Sequence, residues 1–113
     1  MVTLYGIPNC DTMKKARKWL GDHDIAYHFH NYKKSGIDKT LLQDWIANVG
    51  WEILLNRRGM MWRKLNQDQR DNINEENAIK LMLSIPSIIK RPILVREKLI
   101  LIGFDETTYQ DLL

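Results

Sequence analysis

The stretch VTLYGIPNCDTMKKARKWL, Val2 to Leu20, constrains this chain most, because it holds the only cysteine at the joint of two elements. Val2-Thr3-Leu4-Tyr5 is β-branched and aromatic, as strands are. Gly6, Pro8 and Asn9 are turn formers. Met13, Ala16 and Leu20 then recur at helical spacing. The segment therefore reads strand, tight turn, helix, with Cys10 just before the helix N-terminus. Free backbone N–H groups and the helix dipole favour an anion there. Lys14 and Lys15 lie about one turn further on, and the nearest acid is Asp11. A thiol so placed ionises more readily than a free one, and the thiolate is the nucleophile. The competing reading is a small buried hydrophobe, which is what a lone cysteine most often is.

Gly21-Asp22 interrupts the helical pattern. Ile25, Tyr27 and Phe29 then alternate with Ala26, His28 and His30, which predicts a second strand. His28 and His30 share one face, but no third ligand is near, so the pair reads as solvated rather than metal-binding. Lys33 to Gly36 is a polar connection. Asp38 is placed to cap a helix carrying Leu41, Leu42, Trp45, Ile46 and Val49, and Gly50 to end it. Trp51 to Leu55 predicts another short helix, its tryptophan a core anchor. Asn56 to Leu65 is locally basic through Arg57, Arg58, Arg63 and Lys64, and reads as a solvated loop bent at Gly59 and anchored by Trp62. Gln67 to Asn72 predicts a short helix. Asn74 is placed to cap one that carries Ala78, Ile79, Met82 and Leu83 and ends at Ile85-Pro86. Pro92 opens a strand, Ile93 to Val95, which reverses through Arg96-Glu97-Lys98 into Leu99 to Ile102. Asp105 is placed to cap a last helix, Glu106 to Leu112.

At 113 residues the chain is expected to form one domain, 1–113, and to bury about two-thirds of its unfolded surface. No apolar run approaches the ~18 residues of a membrane span, and the N-terminus lacks a signal pattern. One cysteine allows no internal disulfide and suits a cytoplasmic chain. A formal charge of +3 accommodates small anions without the dense basic stripe of nucleic-acid binders. Neither nucleic acid nor a membrane is expected as a partner, and the chain is expected to be monomeric.

The segment LYGIPNCDTMKKA resembles the start of the ArsC/Spx family, which has the thioredoxin-like fold, and within it the small YffB-type proteins. LLNRRGMMWRKL (Leu54 to Leu65), IPSIIKRPILV (Ile85 to Val95) and Gly103-Phe104-Asp105 agree with that family in order, over nearly the whole chain. The resemblance implies an α/β, thioredoxin-like fold: a βαβ half, a helical insertion over about 38–85, then a C-terminal β-hairpin plus helix. It implies a cis proline at Pro92, opposite a nucleophilic Cys10.

It also implies glutathione as co-substrate, with no permanently bound cofactor and no metal, and glutaredoxin as a candidate partner. The glutathione-facing set would be Lys14, Arg58, Arg91, Pro92 and the turn residue Asn9. In strict register the family's oxyanion-contacting loop arginine falls at Asn56, two positions before Arg58. The implied activity is a glutathione-dependent thiol reductase. An arsenate reductase running on the same thiolate is the alternative, although no arginine stands at Ile102-Gly103, where those enzymes carry their third. A non-enzymatic alternative is an Spx-like regulator that binds RNA polymerase. Its Cys-x-x-Cys switch is here Cys10-Asp11-Thr12-Met13, so the second cysteine is missing.

Overall fold

Strand β1 (Val2–Gly6) leads into helix α1 (Asp11–Asp22) and strand β2 (Tyr27–Asn31). Helices α2 (Tyr32–Ser35), α3 (Lys39–Val49), α4 (Trp51–Leu54), α5 (Met60–Arg63), α6 (Gln67–Asp71) and α7 (Glu75–Ser84) follow, with a 3₁₀ turn at Pro86–Ile88. Strands β3 (Ile93–Arg96) and β4 (Leu99–Ile102) and helix α8 (Glu106–Leu112) close the chain. The computed structural model describes all of residues 1–113. The chain divides into two compact units, Met1–Asn31 with Arg91–Leu113, and Tyr32–Lys90.

In the first unit the sheet order is β2-β1-β3-β4. β1 and β2 run parallel, Val2 opposite Tyr27 and Gly6 opposite Asn31. A parallel pair needs a long crossover, and α1 supplies it. β3 joins the other side of β1 antiparallel, with Tyr5 opposite Ile93, and β4 returns along β3. This is the expected thioredoxin-like arrangement. One side of the sheet carries Val2, Leu4, Leu94 and Leu101, which pack with Met13, Ala16, Trp19 and Leu20 of α1 and Tyr109 of α8. Each fully buried aliphatic side chain here stabilises the unit by about 2 kcal/mol. α8 begins at Asp105, whose carboxylate accepts from the Thr108 N–H at 2.9 Å and the Thr108 hydroxyl at 2.6 Å.

The second unit is helical, and its caps follow the sequence. Asp38 accepts from the Leu41 N–H and Asn74 from the Asn77 N–H. Asn66 and Gln69 form a reciprocal capping box on α6. Gly50 ends α3 with φ 88°, a conformation that costs glycine little. Leu42, Trp45, Leu54, Ala78, Met82 and Ile89 are all fully buried. A bridge between Leu55 and Ile89 ties the start of the basic segment to the end of the unit, with Asn56 N–H donating to the Ile88 carbonyl at 2.9 Å.

Two expectations from periodicity are corrected. The polar connection at Lys33 to Gly36 is largely helix α2, entered by the buried Tyr32. The basic segment contains a helical turn, α5. A four-residue helix has too few positions to display a repeat. No helix of the chain is long and apolar enough to cross a membrane.

Candidate active site

Cys10 is the N-cap residue of α1, with φ −131° and ψ 128°. Extended backbone there is the normal way into a helix, and it turns the side chain back toward the first-turn N–H groups. Gly6 makes the turn tight. A Cβ at that position would meet the Met13 Sδ and Cε, and Met13 is fully buried. A glycine is therefore what lets the first turn of α1 lie against the end of β1.

The antiparallel register places the second cation. Tyr5 lies opposite Ile93, so Arg91, two residues before Ile93, falls across from the loop that carries Cys10. The Arg91–Pro92 peptide bond is cis, and the Pro92 carbonyl accepts from the Gly103 N–H at 2.8 Å. The Arg91 side chain lies beside the Cys10 sulfur and favours its thiolate by hydrogen bonding and by charge. Pro92 is buried, Arg91 and Cys10 are partly buried, and Asn9 and Lys14 are exposed.

Partial burial pushes the Cys10 thiol up, and that is the largest single effect. It is outweighed by the Met13 N–H, the Arg91 hydrogen bond, the Thr12 N–H and the Arg91 charge, which together hold the thiol below its ordinary value. Neither N–H meets the length and angle of a conventional capping bond to the sulfur. They act as oriented dipoles, which still favour the anion. Lys14 is not among the groups that hold the thiol down. Its backbone N–H is spent on the Cys10 carbonyl at 3.0 Å.

Of the residues picked out in the sequence, Cys10, Asn9, Lys14, Arg91 and Pro92 all belong to the sheet unit, and Cys10 and Arg91 are in contact. Arg58 belongs to the helical unit. Its N–H donates to Asn56 Oδ1 at 3.1 Å and its carbonyl accepts from Arg63 at 3.0 Å. The neighbouring Arg57 guanidinium lies 5.6 Å from the Trp51 ring centre and 5.4 Å from that of Trp62. The Met13 and Thr12 N–H groups were not singled out by side-chain chemistry. Their signal was the helix N-terminus itself.

The ArsC family model matches residues 5–112. Among solved structures, the YffB protein is 49% identical, covering 98% of this chain and 97% of its own, with a TM-score of 0.94. An arsenate reductase-related protein from Brucella melitensis is 50% identical over 98% of this chain and 92% of its own, with a TM-score of 0.80. The global transcriptional regulator Spx of Streptococcus mutans is 33% identical over 108 residues, 94% of this chain and 78% of that protein. With the family model spanning almost the whole sequence and the fold in agreement, this chain belongs to the ArsC family.

Proposed function

We propose that the protein is a glutathione-dependent thiol reductase with Cys10 as its nucleophile. The observation that carries this reading is the contact between the Arg91 guanidinium and a thiol at the N-cap of α1, in a chain with no second cysteine. The Cys10 thiolate would attack a mixed disulfide R–S–S–G at the glutathione sulfur. The bond formed is Cys10–S–S–G, and R leaves as a thiolate. A second glutathione thiolate then attacks that adduct, regenerates the Cys10 thiolate and leaves as oxidised glutathione. An external thiol must perform this second step because no resolving cysteine exists in the chain. Arg91 would hold the thiolate and a glutathione carboxylate by charge-assisted hydrogen bonds, with Pro92 fixing the backbone beneath. Asn9 and Lys14 are exposed beside Cys10 and would contact the ligand from the rim of the site.

The regulator reading has less support. Met13 stands where the redox switch needs its second cysteine, and it is buried packing beneath Gly6. Exposure to oxidised glutathione, followed by intact-mass measurement, tests the proposal. One glutathione per chain is expected, reversed by excess reduced glutathione and absent in Cys10→Ser. A wild-type protein that stays unmodified, or forms only Cys10–Cys10 dimers, removes glutathione as the co-substrate.

A further inference from the structure

The helical unit carries a groove of about 390 Å³, within the size range of small-molecule sites, that the thiol chemistry does not use. It is lined by Glu52 of α4, by Leu55, Asn56, Arg57 and Arg58 just after that helix, and by Lys90. Two backbone straps hold its walls together. Asn56 N–H donates to the Ile88 carbonyl at 2.9 Å and Lys90 N–H to the Leu54 carbonyl at 2.8 Å, on either side of the Leu55–Ile89 bridge. Leu55 and Ile89 are extended and buried. Side chains alternate along extended backbone, so Asn56 and Lys90 turn away from that buried side and into the groove.

The charged groups here lack partners. Arg57 is held between Trp51 and Trp62, its guanidinium 5.6 and 5.4 Å from their ring centres. A guanidinium packed on aromatic faces keeps its N–H edge free, and that edge fits two oxygens of one oxyanion. Lys90 is half-buried, which strips its ammonium of part of its hydration. None of Arg57, Arg58, Lys90 and Glu52 forms an ion pair. Three cations against one carboxylate match a dianion, whereas a monocarboxylate leaves a cation over. Glu52 repels the anion itself and offers an acceptor to a hydroxyl further along the same ligand.

We propose that this groove binds a small phosphomonoester with a hydroxylated body, its phosphate on Arg57, Arg58 and Lys90 and a hydroxyl on Glu52. A phosphomonoester carries about −1.5 to −2 charge near neutral pH and three strong acceptor oxygens, enough to engage all three cations. The site lies wholly in the helical unit, and the assignment does not rest on the chemistry proposed for Cys10.

The test titrates glycerol 3-phosphate, glycerol and inorganic phosphate into the wild-type and Cys10→Ser proteins. Calorimetry gives the affinities, and the NMR signals of the tryptophan indole N–H groups locate the binding. Glycerol 3-phosphate should bind both proteins equally and more tightly than inorganic phosphate, and glycerol should not bind. The Trp51 and Trp62 signals should move, while that of Trp19, in the sheet unit, stays in place. Arg57→Gln and Lys90→Gln should each weaken binding by about tenfold, the scale of one charge-assisted hydrogen bond. Arg57→Lys keeps a cation on the two indoles but loses the planar fork, so its affinity should fall between wild type and Arg57→Gln. Glu52→Ala should narrow the preference over inorganic phosphate. Melting curves show whether the Arg57 variants fold, and Lys90→Gln, which removes no side-chain contact, decides the matter if they do not. No binding, equal affinity for inorganic phosphate or glycerol, undiminished affinity in Lys90→Gln, or a shift at Trp19 instead of Trp51 and Trp62 overturns the assignment.

Discussion

Desolvation and charge act in opposite directions on Cys10, and the charge side wins because three different donors contribute to it. The thiol's reactivity should therefore begin below the pH at which a free thiol reacts. The sign follows from which form the fold prefers. A depressed thiol pKa means the folded state favours the thiolate. The stability this gives is present above the unfolded thiol's pKa and is lost as pH falls through the folded one. The rate of iodoacetamide alkylation against pH should show a midpoint below the free-thiol value of about 8.5. Arg91→Ala should move that midpoint up and slow turnover by more than about tenfold, the scale of one lost charge-assisted hydrogen bond. Lys14→Ala should leave the midpoint almost unchanged, because that residue is absent from the groups that hold the thiol down. Were Lys14→Ala to shift the midpoint more than Arg91→Ala, the assignment of the cation would be wrong.

Helix α1 connects packing to chemistry through Gly6. Gly6→Ala inserts a methyl against the Sδ and Cε of Met13, a fully buried side chain that must shift to admit it. Overpacking of this kind costs about 1–3 kcal/mol. Part of the response should be a shift of the first turn of α1, which carries the Met13 and Thr12 N–H groups. The variant should therefore melt several degrees lower and also react more slowly at Cys10. A lower Tm with unchanged alkylation would mean that Met13 repacks without moving its backbone. At the other end of the unit, Asp105→Ala should lower the Tm and Asp105→Asn should not, since the loss is of an acceptor for the Thr108 N–H.

Elements with a long repeat or a capping residue were legible in the sequence. α1, α3 and α7 announce themselves by spacing, and Asp38, Asn74 and Asp105 by side-chain type. α2 and α5 were not, because four residues carry no period. Nor could the pattern of the chain alone bring Arg91 to Cys10, since that contact depends on the antiparallel register of β1 and β3. Only the family resemblance pointed to it.

Across the whole sheet unit there are three arginines, and their assignments bear on which oxyanion the site can hold. Arg17 lies 4.7 Å over the Phe29 ring and donates to the Tyr27 hydroxyl at 3.0 Å. Arg96 donates to the Leu112 carbonyl at 2.9 Å, which ties β3 to the end of α8. Arg91 alone faces the thiol. The position where arsenate reductases carry a further arginine is occupied here by Ile102 and Gly103. Ile102 is committed to the β3–β4 ladder opposite Ile93, and Gly103 has φ 79° and donates to the Pro92 carbonyl. An arginine at Gly103, like any residue with a Cβ, would be strained by that backbone, so the fold itself disfavours restoring the site by one substitution there. A multiply charged oxyanion needs several fixed donors to offset its lost hydration, and one guanidinium on this unit supplies few. Arsenate should accordingly be a poor substrate. In a coupled assay with glutathione and glutaredoxin, turnover at micromolar arsenate should be barely above background, while the same preparation forms the glutathione adduct at Cys10. Efficient arsenate reduction would reverse the ranking of the two activities.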